Sequence, residues 1–354
     1  MSKRELNEKK KSKVIFPIIA IIILAIAAGV TLYMMKGKEN QAVAQTDADN
    51  NTSIQTPEPE KKIQIYTGTD RPIAVMIDNN TNAWPQAGIN DAYMVYEIIV
   101  EGGETRLMAV FKNVNLDKIG PVRSSRHYFI DYAMENDAIY AHYGWSPQAQ
   151  SDISKYGINN INGIYEDAGY WRDSVKKAPH NALTSTDKLL AVANRRGYRT
   201  TSNQESVLNY TTDEVLLEDG QTATYVKIPY TSYNVIEFKY NEETQRYTKY
   251  AKGKKQTELS TGNDITTKNI IITFAENYTL TDAENKGRQG IKNIGKLKGY
   301  YITNGKAIEI TCEKNDRKSQ TVYKDLQGNE IKVNDGNTFV QICPLKANVT
   351  FTQE

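Results

Sequence analysis

Two cysteines and three histidines in 354 residues exclude several chemistries at once. The histidines are His127, His142 and His180, and they show no H-x-x-x-H or other zinc-like spacing. A lone histidine in or beside a strand is ordinarily a structural hydrogen-bonder, so no metal ligand is assigned. Cys312 and Cys343 both lie late in the chain. The first half therefore has no thiol nucleophile, and no N-terminal cysteine is there to carry a lipid. Also missing are G-x-x-x-x-G-K-[ST], G-x-G-x-x-G and G-x-S-x-G, so neither a phosphate-cradling loop nor a nucleophile elbow is present. An excess of one charge is lacking too. With 44 Lys+Arg against 42 Asp+Glu, the net charge of +2 leaves no electrostatic footprint for nucleic acid.

What the chain has in plenty is tyrosine, 23 residues of it. Tyrosine suits half-buried strands, and it also suits carbohydrate surfaces. The length leaves room for two folded domains behind an N-terminal extension.

That extension is organised by Val14 to Met35, an uncharged apolar run. As a helix it would span about 33 Å at ~1.5 Å per residue, enough for a bilayer core. Lys3, Arg4, Lys9, Lys10, Lys11 and Lys13 precede it, and Lys36 and Lys38 follow. The positive-inside rule puts residues 1–13 in the cytoplasm as a basic tail, 14–35 across the membrane and the rest outside. Ala42-Val43-Ala44 has the form of a signal-peptidase site but lies well past the apolar run, which favours an uncleaved anchor. Residues 36–62 are polar, with no apolar periodicity, and read as a disordered stalk.

Residues 63–205 read as a mixed α/β domain. Pro72 to Asp78 is an apolar strand ending on an acid. Ala92 to Val100 and Thr105 to Phe111 flank Glu101-Gly102-Gly103-Glu104, which reads as a two-residue Gly-Gly hairpin. That register pairs Ile99 with Arg106 and puts Glu97, Glu101, Glu104 and Arg106 on one face, Arg106 diagonal to both Glu97 and Glu101. Gly120-Pro121 then breaks the chain ahead of Arg123, Ser124, Ser125 and Arg126. Ser125 is the expected N-cap of a helix over Arg126 to Glu135. Arginines, hydroxyls and free backbone N–H groups at a helix start suit an anion, and the same arginines are equally suited to neutralising Glu97, Glu101 or Asp131. Ser146-Pro147 starts a second helix and Thr184 to Arg196 forms a third, with Gly197 after it.

After a linker over 206–222, residues 223–350 read as a smaller, mainly antiparallel β domain punctuated by Asn304-Gly305, Gln327-Gly328-Asn329 and Asp335-Gly336. Its basic, Gly-rich stretch Asn285 to Gly295 could bind an anion, but its spacing fits no phosphate-cradling motif and it reads rather as a mobile surface loop. A disulfide between Cys312 and Cys343 would contribute about 3–4 kcal/mol, and paired and free thiols stand equal. The fold class is thus α+β, with an N-terminal transmembrane helix.

Taken in order, RPIAVMIDNN, VYEIIVEGGETR, KIGPVRSSR, IYAHYG and APHN resemble the YerB-like family of Gram-positive envelope proteins. The likeness runs from about Tyr66 to Leu345. It implies an extracytoplasmic place, an N-terminal domain of unknown function and a smaller C-terminal one, but no activity and no cofactor. Matching the family's polar motifs are Asp78, Glu97, Glu101, Arg106, Arg123, Arg126, His142, His180 and Asn181. Members are usually lipoproteins, and here an apolar helix stands in place of the lipobox cysteine. Cys312 also replaces an expected aromatic residue. Three readings follow. One is a module binding an anionic envelope ligand, such as a phosphorylated or lipid-linked glycan. Another is a scaffold for envelope proteins. The last is a metal-assisted phosphotransferase or hydrolase with Asp78, Glu97 or Glu101 as ligand or base, similar only in layout to LytR–CpsA–Psr enzymes.

Overall fold

The computed structural model describes residues 61–353. The expected membrane helix and most of the stalk lie outside them. Among the described residues no helix is long and apolar enough to cross a membrane.

The organising element is one twelve-stranded mixed sheet. Ten of its strands run in the spatial order Val322–Lys324, Lys306–Lys314, Gly295–Thr303, Asn269–Thr279, Thr338–Pro344, then β2 (Met94–Ile99), β3 (Thr105–Phe111), β1 (Ile73–Asp78), β4 (Ile139–His142) and β5 (Asn160–Asn162). Both halves of the sequence therefore build a single sheet. The junction is the parallel pairing of β2 with Thr338–Pro344, in which Glu97 sits beside Gln341. Cys312 and Cys343 lie on strands separated by two others and are both free and buried.

Both faces of this sheet are covered, which explains why its central strands are mostly apolar and buried along their length. One face packs on α1 (His127–Glu135) and α2 (Pro147–Tyr156) through Tyr128, Phe129, Ile130, Ala149 and Ile153. The other packs on α3 (Thr186–Arg195) and on a second, six-stranded sheet through Leu189, Val192, Val226, Ile236 and Phe238. Most of the tyrosines near the junction are core residues with bonded hydroxyls. Tyr93 and Tyr96 donate to Asn136 and Glu135 at 2.7 Å, and Tyr128 donates to the Ile99 carbonyl at 2.7 Å.

The β2–β3 hairpin departs from the two-residue expectation by one position. Glu101–Gly103 forms a 3-10 turn closed by the Val100 N–H donating to the Glu104 carbonyl at 2.7 Å. Ile99 therefore pairs with Thr105 and Ile98 with Arg106. A one-residue slip flips side chains between faces, and Glu97 lies on the opposite face from Arg106. The cause is at the tip, where Gly102 and Gly103 both adopt positive φ, 64° and 69°. Gly103 lies against Thr231 and Tyr233, leaving no room for a Cβ.

Helix starts also differ in part. Ser146 caps α2 as expected, accepting from the Ala149 N–H at 3.2 Å. Ser125 does not cap α1: Arg126 holds that position without a capping side-chain bond, and the Ser125 hydroxyl accepts from Tyr140 at 2.8 Å. The third helix, α3, starts at Thr186 and not Thr184, with Ser185 as its cap.

Candidate functional site

β1 and β4 are parallel, and β3 starts beside the end of β1, with Asp78 opposite Arg106. Carboxyl ends of parallel strands open where the next connections leave the sheet, a favoured place for ligands in open α/β sheets. Here the connections are the hairpin tip, the Arg123–Arg126 loop and the segment carrying His180. Between them lies a cleft of about 490 Å³, within the roughly 300–1,000 Å³ typical of small-molecule sites.

Asp78 anchors the floor. Its Oδ2 lies 2.7 Å from His180 Nδ1 and 3.2 Å from Arg123 Nε, and its Oδ1 accepts the Asn80 N–H at 3.1 Å. Because a carboxylate only accepts, Nδ1 of His180 carries the proton in this pair. His180 is placed by its neighbour Asn181, whose amide accepts from Arg172 at 2.7 Å and donates to the carbonyls of Asp173 and Lys176. Asn181 thus holds the loop without lining the cleft.

The arginines enter from two sides. Arg126 grips Glu101 with two parallel bonds, Nε to Oε1 at 2.5 Å and Nη2 to Oε2 at 2.8 Å. Arg106 rises from β3 and donates to the Ser124 carbonyl at 2.5 Å, with Glu101 farther off at 3.9 Å. Burial, and next the charge of Arg126, lower the Arg106 guanidinium; it remains a cation near neutral pH. Burial raises the Glu101 carboxyl, but the Arg126 bonds and charge outweigh it and leave Glu101 below its usual value. Among the described residues, Arg123 makes one side-chain ion pair, through Nε to Asp78, and its side chain is a quarter exposed.

Five cations (Arg106, Arg123, Arg126, Lys286 and Arg288) face three carboxylates (Asp78, Glu101 and Glu104) around the cleft. Glu104 is engaged by Lys252 at 2.7 Å, and Arg288 by Asp282 at 2.8 Å. Lys286 and Arg288 come from the Gly-rich stretch Asn285 to Gly295, read from sequence as a surface loop in preference to an anion site, and they line the cleft from the C-terminal half. Trp145, Ser124 and Ser146 also line it. Only the cationic composition of that loop hinted at a role, because its approach to the cleft depends on contacts between residues far apart in sequence.

Glu97 and His142 lie elsewhere. Glu97 is fully buried on the far face, 3.3 Å from Lys249 and hydrogen-bonded by Asn79, Thr105 and Gln341. It ties β2 to the second sheet. His142 is fully buried too, its Nδ1 2.8 Å from the Gly144 carbonyl and its Nε2 3.3 Å from Asn160 Oδ1. Burial pushes it down to about 4. The structure therefore brings together Asp78, Glu101, Arg106, Arg123, Arg126 and His180, and keeps Glu97, His142 and Asn181 behind them. Among the described residues no group of three His, Cys, Asp or Glu side chains could hold a metal.

A mixed sheet shared by two sequence halves, with a cationic cleft at the end of β1, defines an α+β protein with a two-part architecture. Residues 56–199 match the family "Protein of unknown function (DUF3048) N-terminal domain", and residues 226–340 match its C-terminal domain. The chain is 29% identical over 314 residues to "Putative lipoprotein YerB" of Bacillus subtilis (strain 168), covering 85% of this chain and 90% of that protein. It also resembles the crystal structure of YerB protein from Bacillus subtilis, with a TM-score of 0.72, 29% identity, and 82% of this chain and 97% of that one covered. The chain belongs to the YerB-like family.

Proposed function

We propose that this is a membrane-anchored envelope protein whose cleft binds an anionic ligand, with phosphate as the group recognised. The observation that carries this reading is the convergence of Arg106, Arg123 and Arg126 on a space where Asp78 and Glu101 are the carboxylates they contact. That leaves a cationic surplus inside a concave site, the setting in which arginine forks read phosphate well. Similarity to a protein named as a lipoprotein supports placement at the envelope. The apolar segment 14–35 serves as the anchor and 36–62 as the spacer, with 63–205 and 223–350 outside. Protease digestion of intact protoplasts tests this: the folded part should be cut away, and full protection would refute the topology.

A thermal-shift screen of the full-length chain against inorganic phosphate, pyrophosphate and a polyprenyl phosphate tests the binding. Stabilisation by phosphate compounds, lost in Arg123→Ala/Arg126→Ala, is the expected result. An equal shift in that variant would sink the arginine site.

One observation favours a catalytic version. The Asp78–His180 pair orients an imidazole at the cleft in the manner of a carboxylate-positioned general base. Asp78 would then act through His180 and not as a metal ligand. If so, phosphate release from a sugar phosphate should fall with His180→Gln while phosphate affinity holds, and equal turnover by variant and parent would exclude it.

A further inference from the structure

We infer that the anionic group arrives on a pyranose ring, so that the cleft takes a glycosyl phosphate whose sugar stacks on Trp145 and Tyr165. This rests on the anion-binding reading above and adds to it the chemistry of the attached group.

The cleft's volume exceeds what a bare phosphate needs, and one part of its wall is aromatic where most of the rest is charged or polar. Trp145 lines the cleft beside Ser124 and Ser146. Tyr165 packs obliquely on Trp145, with ring centroids 5.8 Å apart and a tilt of 47°. Tyr165 is 67% exposed and its neighbour Ile164 is 53% exposed, so apolar surface continues outward from the arginines.

This shelf is preformed. Trp145 packs on the buried His142 ring at 5.6 Å and is bridged to Ser125 through the backbone. Asn162 Oδ1 accepts the N–H groups of both Gly144 and Ile164, at 2.9 and 3.1 Å, and fixes the segment that presents Tyr165. Gly144 has φ +84°, and a Cβ there would sit 3.1 Å from the Ser124 hydroxyl and 3.2 Å from Ile164 Cδ1. The shelf and the arginine loop are therefore packed directly against each other.

Rings tilted by 47° do not form the flat slot that a nucleobase fills, whereas the C–H face of a saturated sugar can lie on such a corner. Asn80 and Ser124 around the cleft offer partners for hydroxyl groups. An anionic head with a polyhydroxylated, one-faced apolar ring matches both parts.

The test is isothermal titration of the full-length chain with inorganic phosphate, glucose 1-phosphate and uridine 5′-monophosphate. Glucose 1-phosphate should bind about tenfold more tightly than phosphate. Tyr165→Ala, at an exposed position, should remove most of that gain and leave phosphate affinity within about twofold, while Tyr165→Phe keeps it. Equal affinity for phosphate and glucose 1-phosphate overturns this inference and leaves the anion site standing. A Tyr165→Ala loss shared equally by both ligands, or tighter binding of the nucleotide, also overturns it. No binding of either phosphate compound overturns the anion site and this inference together.

Discussion

Glu101→Gln separates a binding cleft from a merely salt-bridged surface, because the two accounts predict different signs. Glu101 holds Arg126 through two bonds and lies 3.9 Å from Arg106. Removing its charge frees both guanidinium groups for a ligand. For a phosphate roughly 6 Å away at an effective dielectric of about 20, one lost negative charge is worth about 2.8 kcal/mol. Screening over a Debye length of ~8 Å at physiological salt roughly halves this, to about 1.3 kcal/mol, a tenfold gain in affinity. The same change removes a partly exposed ion pair, so stability should fall by at most ~1 kcal/mol. Calorimetric titration with phosphate and urea unfolding of the same preparations read the two effects. Tighter binding with slightly lower stability is expected, and the gain should shrink in high salt. Weaker or unchanged binding in Glu101→Gln would refute the view that Glu101 competes with a ligand for the arginines.

Other predictions concern the frame around the cleft. Lys249→Met strands the buried Glu97 charge and should cost about 3–5 kcal/mol in urea unfolding; adding Glu97→Gln should recover most of it, and simple additivity of the two losses would contradict the pairing. Gly103→Ala combines positive φ with a Cβ 2.7 Å from Thr231 Cγ2 and should cost at least ~2 kcal/mol, whereas Gly102→Ala meets open space and should cost only about 1 kcal/mol; equal losses would remove the argument for docking of the tip. His142 has a folded value of about 4 against 6.5 when unfolded. Its contribution is present above pH ~6.5 and lost as pH falls through 4, up to roughly 3 kcal/mol. His142→Phe should therefore show a flatter fall in stability between pH 7 and pH 4 than the parent, and parallel curves would count against a neutral buried imidazole.

Much of this frame was legible in the residues. The apolar strands, the Ser146-Pro147 helix start and the Arg123–Arg126 loop all lie where local chemistry puts them. The hairpin register was not, for a physical reason. Alternation fixes register only when one face is wet, and here both faces of β2 and β3 are buried. Gly-Gly reads locally as a complete turn, whereas the tip is a three-residue turn docked on Thr231 and Tyr233 far along the chain. That one-position difference separates Glu97 from Arg106. The partner of Glu97, Lys249, stands on another sheet, and no local signal announces it. Asp78 with His180 was equally hidden, since 102 positions separate them. Both residues were singled out from sequence, and only the tertiary fold shows that they touch.

The most direct test of the central claim is phosphate titration of the full-length chain beside Arg123→Ala, at low and at high salt. Arg123 meets Asp78 through Nε alone and is partly exposed, so its removal should leave the fold intact. Phosphate should bind the parent, about tenfold less tightly to Arg123→Ala, with a smaller salt dependence in the variant. Identical affinities and identical salt dependence in the two proteins would contradict an anion site at this cleft.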